Sequence, residues 1–452
     1  MHENETMWQL GASDALLPPS VVPQQTALQA KACSNLKFYV EQHQTLGPIF
    51  RVERSDNIVT VMAGPEANTF MARVGPETLS EKAFWQGFDE EYANRENVER
   101  EGTANRQRRA LLSRSYSRGR IVDRLPTLVE MTRKHSAGWE NGQSIAFFSW
   151  LQGLVAEQLG QLLTTYGPGD YVADLDTFLS IAIASTLTKT QNSDALQAQV
   201  YQRAKQRVFE LGRAIVAAHR LALAPDREPD IVDEMIAAAT KAGHEVRDEQ
   251  LALGALGPFL AGLHTVTTAA CYLLYALLKH QDVLERVMAE VDAALGKGEL
   301  SWERVRGMHV LHGAVMEALR LYPVSIGHHC QAMQPFTFAS YRVERGDDVF
   351  VAMAVSHFLP ELFPHPLSFD CDRYHEPRNE HRQRGAYAPF GLGDHSCLGV
   401  GIAETQLVVT VATLLFLFQL ELDPPGYELR PLEPAAFSVR GHFRIRVMSR
   451  RR

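Results

Sequence analysis

The chain of 452 residues carries only five cysteines: Cys33, Cys271, Cys330, Cys371 and Cys397. They are scattered and form no CxxC pair, which excludes a disulfide framework and a structural zinc site of ordinary spacing. Such usage suits a reducing compartment, the cytoplasm. Residues 1–30 mix Glu, Asp, Gln and Pro and lack the apolar core of a secretory leader. The most apolar runs, 251–263 and 407–418, fall short of the ~18 residues needed to cross a bilayer, and the first contains Pro258. No membrane span is therefore expected. Positive charge is not in excess either: 45 Lys and Arg against 53 Asp and Glu leave a net charge of −8, which argues against bulk nucleic-acid binding. Internal repeats, low-complexity tracts and linker-like stretches are absent, so one domain over 1–452 is the simplest organisation.

What the chain does have is apolar mass (45% of residues) arranged mostly at helical spacing. After an irregular segment over 1–45, short β-branched runs at 49–52 and 58–62 flank a Ser55-Asp56-Asn57 turn and read as a hairpin. Helical patterns then dominate, over 65–75, 102–115, 122–138, 147–165, 172–186, 194–222, 230–240, 248–280, 282–295, 302–306, 309–322 and 401–417. Between 324 and 400 short strand-like pieces at 336–338, 341–343 and 348–352 alternate with Pro, Gly and His, and 375–386 is a polar coil. Long irregular segments inside a compact domain are usually functional. The expected class is mainly α with small β-sheets.

One cysteine has a distinctive setting. Phe390-Gly-Leu-Gly393-Asp-His395-Ser-Cys397-Leu-Gly399 places it in a glycine-rich loop just before a long apolar helix. Glycine permits positive φ and close backbone approach, and the N–H groups and dipole at a helix start favour a thiolate. A thiolate so placed is a good iron ligand, and a flat macrocycle can lie against the glycines. The plainer alternative is a buried structural cysteine in a tight turn. Phe-x-x-Gly-x-x-x-Cys-x-Gly resembles the haem-binding signature of the cytochrome P450 family, in its soluble, bacterial-type form, and every defining position matches. That resemblance covers nearly the whole chain. It implies the P450 fold, haem b ligated by Cys397 and a loop over 390–399 in which Phe390, Gly391 and Gly399 pack against the cofactor. It also implies His395 as a partner for a haem propionate.

The resemblance extends to other segments. Pro258-Phe-Leu-Ala261-Gly262-Leu-His264-Thr265 is similar to the family's oxygen-activation motif, with His264 where an acid is usual. It implies that Thr265 holds water and dioxygen in a proton-delivery network, with Ala261 against the cofactor. His264, whose side chain titrates near neutrality, is an alternative relay. The His-Thr pair is similar to that of sterol 14-demethylases. From the residues alone, Gly262 and the clustered threonines suggest either a local widening of the helical ladder or a core helix with threonines bonded back to carbonyls. Gly102 to Ser117 resembles the helix that carries propionate anchors, implying Arg109 and, at a position usually Trp or His, Asn105. A further arginine anchor usual near Ala332 is replaced by Cys330, with His328 and His329 just before it.

Glu317 and Arg320 lie i, i+3 on one helix face and interrupt an apolar pattern. With Arg373, in a segment resembling the family's Phe-x-Pro-x-Arg-Phe, they are expected to form a buried structural triad beneath the haem. Arg106, Arg108, Arg109, Arg114, Arg118 and Arg120 make a basic run, read either as a solvated face or as a docking patch for an acidic electron donor. Expected wall residues of a substrate pocket are Phe84, Trp85, Phe88, Leu263, His264 and 324–327.

Taken together, the resemblance implies a monooxygenase acting on a small apolar or amphipathic molecule. Electrons would come ultimately from NAD(P)H through a separate ferredoxin- or flavodoxin-type donor with its reductase. The alternative is a haem-thiolate protein that isomerises, dehydrates or senses.

Overall fold

The computed structural model describes residues 8–10, 15–21, 36–53, 57–92, 102–221, 229–241, 243, 247–430, 432 and 439–452. Cys33 and the turn residues Ser55 and Asp56 lie outside them. The helices are α1 (Leu36–Leu46), α2 (Gly64–Arg73), α3 (Gly75–Thr78), α4 (Lys82–Tyr92), α5 (Gly102–Leu112), α6 (Arg118–Val122), α7 (Leu125–Ser136) and α8 (Phe147–Leu163). They continue with α9 (Val172–Ala182), α10 (Gln199–Leu221), α11 (Ile231–Lys241), α12 (Asp248–Lys279), α13 (Gln281–Leu295), α14 (Trp302–Gly307), α15 (His309–Leu321) and α16 (Val400–Leu417). The expected class holds, with α1 and α4 added; α1 corrects the reading of 1–45 as wholly irregular.

The small sheets lie at the margins. The largest has the order β2-β3-β4-β10-β7-β5, built from Ser20–Val21, Ile49–Glu53, Ile58–Ala63, Asp348–Ala352, His328–Ala332 and Leu79–Ser80. The expected hairpin is its antiparallel β3–β4 pair, and β10 runs parallel to β4. A second sheet joins β1 (Trp8–Leu10), β8 (Phe336–Phe338) and β9 (Tyr341–Val343), and a third joins β11 (Phe418–Leu422), β12 (Arg444–Arg450) and β6 (Ser144–Ala146). Strand β7 escaped the sequence reading because His-His-Cys-Gln-Ala shows no apolar alternation.

The central element is α12. Asp248 and Glu249 in its first turn and Lys279 in its last complement the helix dipole. It runs unbroken through Pro258, whose penalty of ~3 kcal/mol is offset by burial of almost the whole C-terminal half. Helices α12 and α16 are both long and apolar enough to cross a membrane by composition, contrary to the sequence estimate. Their apolar stretches are 78% and 83% buried inside the protein, so here they serve as core helices.

The ladder of α12 does not widen at Gly262, as one reading of the sequence had it. A side-chain carbon on Gly262 would sit 2.8 Å from Leu159 Cδ1, so the glycine is there to let α8 pack closely. Widening occurs instead in the π-turn Ile183–Leu187 that continues α9, and that turn borders the cavity described next.

Candidate functional site

Two exposed residues mark α12 where it is otherwise buried. Ala261 and Thr265, one helical turn apart, are open, while Leu263, His264, Val266, Thr267 and Thr268 are not. Thr265 Oγ1 donates back to the Ala261 carbonyl at 2.7 Å, as the core-helix reading anticipated, which leaves the hydroxyl's lone pairs facing outward. Thr265 borders a cavity of about 300 Å³. Its wall is largely apolar, from Phe84, Trp85, Ile183, Leu187, Leu260, Val324, Ile326 and Phe350, with Glu81, Ser325, His328 and His329 as polar members. That size and character suit a compact apolar ligand with a few fixed polar contacts. Phe88 and Leu263, expected in this wall, are instead buried in the core, at 7% and 0% exposure.

His264 borders the cavity, as expected of a wall residue. Its ring is buried and its Nε2 lies 2.8 Å from Asp176 Oδ1 on α9. The same carboxylate accepts from Gln152 Nε2 at 2.6 Å and from Arg440 Nη2 at 2.6 Å. Burial works to raise the Asp176 pKa, but the hydrogen bonds from His264 and Gln152 and the Arg440 charge overcome it and leave the acid below its ordinary value. His264 thus ties α12 to α9 and to the C-terminal segment.

Cys397 lies in a loop closed on itself: its N–H donates to the Phe390 carbonyl at 2.7 Å. Gly391 (φ 72°) and Gly393 (φ 66°) supply left-handed turns, while Gly399 (φ −84°) does not need one. A side-chain carbon at Gly399 would lie 3.8 Å from Cys397 Sγ, an ordinary contact distance. Cys271, Cys330 and Cys371 are buried, whereas Cys397 is exposed. Its thiol is nevertheless pushed up by desolvation, only partly countered by the Gly399 N–H and the Arg109 charge. Both facts fit a sulfur that opens onto an internal recess. Desolvation therefore works against the thiolate that the helix start favours.

Around the loop stand the expected anchors. Arg109 Nη2 donates to the Ser396 carbonyl at 2.5 Å, next to Cys397. Asn105 is buried, and its Oδ1 accepts from Arg108 within its own helix at 3.1 Å. Arg106 pairs with Asp394 at 3.3 Å and Arg118 with Glu404 on α16 at 2.6 Å. The basic run therefore clamps the loop and α16 and is more than a solvated face. His395 faces Glu81, with its Nδ1 3.6 Å from that carboxylate. His328 Nδ1 bonds the same acid, while Cys330 turns into the second core cluster, between the large sheet and α2. Glu81 was not singled out from sequence; the one local signal was its i, i+4 spacing to Trp85, whose Nε1 donates to it at 3.0 Å.

Behind the loop, the expected triad is complete. Glu317, Arg320 and Arg373 are all essentially inaccessible. Glu317 accepts from Arg320 Nε (2.7 Å) and Nη2 (2.8 Å), Arg373 Nε (3.1 Å), Tyr374 Oη (2.7 Å) and the Asp370 N–H (3.0 Å). Arg373 Nη1 also donates to Glu380 at 2.8 Å, so two acids balance two guanidinium groups. Arg320 Nη1 reaches the His357 carbonyl at 2.6 Å, and the His357 ring accepts the Ala388 N–H through Nε2 at 3.0 Å, which carries the brace to the start of the cysteine loop.

This brace implies acid sensitivity. Burial, then the Arg320 charge, pushes the His357 pKa down to about 3. Burial, then Arg118, pushes His312 down to about 4. Both rings stay neutral in the fold but titrate near 6.5 once unfolded. Between those values the unfolded chain binds more protons, so stability present above pH ~6.5 is lost as the pH falls. The thermal midpoint is expected to drop steadily from pH 7 to pH 5; a midpoint constant across that window would contradict neutral burial of these rings.

The donor set fits a haem. Cys397 offers one soft sulfur with an open surface, Ala261 and Thr265 are open on α12, and Arg109, His328 and His395 gather at the cysteine loop as groups suited to carboxylates. By contrast, the one cluster among the described residues with metal-like geometry, His219, Asp230 and Asp233, contains no cysteine. There Asp230 Oδ1 accepts the Val232 N–H at the start of α11 and its other oxygen bonds His219, which accounts for the cluster as a helix cap.

A family model described as Cytochrome P450 matches residues 19–441. Among curated proteins, a sterol 14alpha-demethylase of Mycolicibacterium vanbaalenii is 35% identical over 167 residues, 36% of this chain and 37% of that protein. A lanosterol 14-alpha demethylase of Mus musculus is 28% identical over 208 residues, 46% of this chain and 41% of that protein. The chain thus aligns with only 37% and 41% of the length of these relatives. Among solved structures, the retinoic acid bound cyanobacterial CYP120A1 superposes with a TM-score of 0.78 at 21% identity, covering 96% of this chain and 99% of that one. The haem domain of cytochrome P450DA gives 0.79 at 19% identity, covering 97% and 99%. At such identities the likeness speaks for the fold.

Proposed function

The chain belongs to the cytochrome P450 family, and from that premise we propose that it is a haem-thiolate monooxygenase. One atom of O2 enters a compact apolar or amphipathic molecule and the other leaves as water. Electrons come from NAD(P)H through a separate ferredoxin- or flavodoxin-type donor with its reductase. The observation that carries this reading is the exposure of Cys397, alone among the four described cysteines, in a loop braced from behind by a buried ion-pair network.

Cys397 would ligate the iron, with Phe390, Gly391 and Gly399 shaping the loop around the sulfur, and Arg109, His328 and His395 would take the propionates. Bound there, haem supplies the oxygen-activating chemistry. The rest falls to side chains. Thr265 presents its lone pairs to the recess and accepts a hydrogen bond from water, so a proton can be held at its Oγ1. Asp176, His264 and Arg440 fix the pitch of α12 against α9, which sets where Thr265 stands. The apolar wall from Phe84 to Phe350 excludes bulk water and orients the substrate. A donor of acidic surface would meet Arg118 and Arg306 in the groove of about 510 Å³ that Trp302, Glu303, His309 and His312 also line, beside the helix that follows Cys397. Free cysteines throughout the described residues support a cytoplasmic setting.

A second reading, a haem-thiolate isomerase, dehydratase or sensor, draws on one observation: His264 is bound to Asp176 and offers no carboxylic acid beside Thr265. Turnover under 18O2 with a surrogate ferredoxin system, over a panel of apolar compounds, separates the two. The monooxygenase reading expects one labelled atom per product, and Thr265→Ala lowers product per NAD(P)H consumed by roughly 100-fold, the scale of lost proton transfer. Product without label, or no oxygenated product from the whole panel, favours the second reading.

A further inference from the structure

Glu81 is a buried carboxylate to which the proposed chemistry gives no task. It is 6% exposed and lies on the cavity wall, between β5 and α4. An isolated buried carboxylate is costly, so its partners are informative. His328 Nδ1 donates to one oxygen, Trp85 Nε1 donates to the other at 3.0 Å, and His395 Nδ1 lies 3.6 Å from that second oxygen. Burial works to raise the Glu81 pKa, yet the His328 hydrogen bond and charge overcome it.

One acid therefore faces two imidazoles through the same ring nitrogen of each, which turns each Nε2 away from it. For His328 the direction is visible. Its Nε2 lies 3.0 Å from where a side-chain carbon on Gly391 would stand, so the ring rests on the cysteine loop at a glycine. Arg109 reaches the same loop from the other side, at the Ser396 carbonyl. A carboxylate bound to the far nitrogen of a histidine fixes the ring's tautomer and orientation and makes its near nitrogen more basic, so that it can meet a ligand carboxyl group across a shared proton. The ligand suited to two such imidazoles and a guanidinium carries carboxylates. Trp85, held by the same acid, lines the cavity, so the network also joins the substrate wall to the cysteine loop.

We infer that Glu81 is a positioning residue: it orients His328 and His395 to receive the haem carboxylates, with His328 serving where Cys330 leaves no arginine. The inference rests on the haem-thiolate reading above. It is tested on the haem-loaded full chain by transfer of haem to excess apomyoglobin, by the ferric/ferrous potential and by the reduced-CO spectrum. Glu81→Gln keeps the thiolate-type CO band but releases haem about tenfold faster than wild type, with a displaced potential; Glu81→Asp recovers part of both. His328→Gln also accelerates release, but no more than Glu81→Gln does, and the double variant is no faster than Glu81→Gln alone, because Glu81 acts through His328 and His395. Should Glu81→Gln not fold, His328→Gln and Trp85→Phe carry the test: the first accelerates release, and the second, which removes only the Nε1 donor, accelerates it less. Wild-type release and potential in both Glu81→Gln and His328→Gln, or rates that multiply in the double variant, overturn the inference and leave the functional reading standing. A wild-type protein without the thiolate-type band overturns both.

Discussion

Replacing Glu317 with alanine is expected to lower the stability of the fold by about 3–5 kcal/mol, the usual penalty for removing one partner of a buried ion pair. The reason is the number of groups that depend on one carboxylate. Five hydrogen bonds converge on it, three of them from two guanidinium groups with no access to water. Without the acid, Arg320 and Arg373 share a single buried countercharge, Glu380, and Tyr374 and the Asp370 N–H lose their acceptor. Against a total stability on the order of 5–15 kcal/mol, such a loss is large. It should lower the thermal midpoint by roughly 3–5 °C and strip the variant of haem on purification, because the network ends at the His357–Ala388 contact just before the cysteine loop. Glu317→Gln keeps the shape but not the charge and falls between. A Glu317→Ala protein that melts within a degree or two of wild type would show that the pair is dispensable.

That network was partly legible in the sequence, and the part that was illustrates why. Glu317 and Arg320 are three residues apart on a helix, so their meeting follows from helical geometry, and the apolar residues around them forecast burial. The cysteine loop was legible for the same reason, since its signature is contiguous. So were α12 and α15, whose apolar residues recur at helical spacing over many turns. What escaped depends on contacts distant in sequence. Glu81 meets His328 across 247 positions, Asp176 meets His264 across 88 and Arg440 meets Asp176 across 264. No local period encodes such a pairing. Those contacts add to the reading of two residues: His264, a relay by its motif position, is tied to α9, and His395, a cofactor contact by the resemblance, shares an acid with His328. Helix α1 was missed because its buried face, Leu36, Tyr39 and Val40, is a single turn set in a polar surround. The glycines were legible as special positions but not as to cause: Gly391 and Gly393 serve by positive φ, Gly262 by leaving room.

The second large effect concerns Cys397, on which the account turns. The other described cysteines are buried in the core, away from any ligand, and burial holds the Cys271 thiol far from ionisation and pushes Cys371 up to about 12. Among the described residues Cys397 is the one cysteine with a surface open to a ligand, so replacing it should remove iron–sulfur ligation. Histidines 328 and 395 do not substitute, since their rings are held by Glu81. The measurement that tests this most directly is the carbon monoxide difference spectrum of the reduced, haem-loaded protein. The wild type is expected to show the red-shifted Soret band of a thiolate-ligated haem, and Cys397→Ala to lack it while retaining the helical content of the fold. A wild-type protein without that band, or a Cys397→Ala protein that keeps it, would contradict the account.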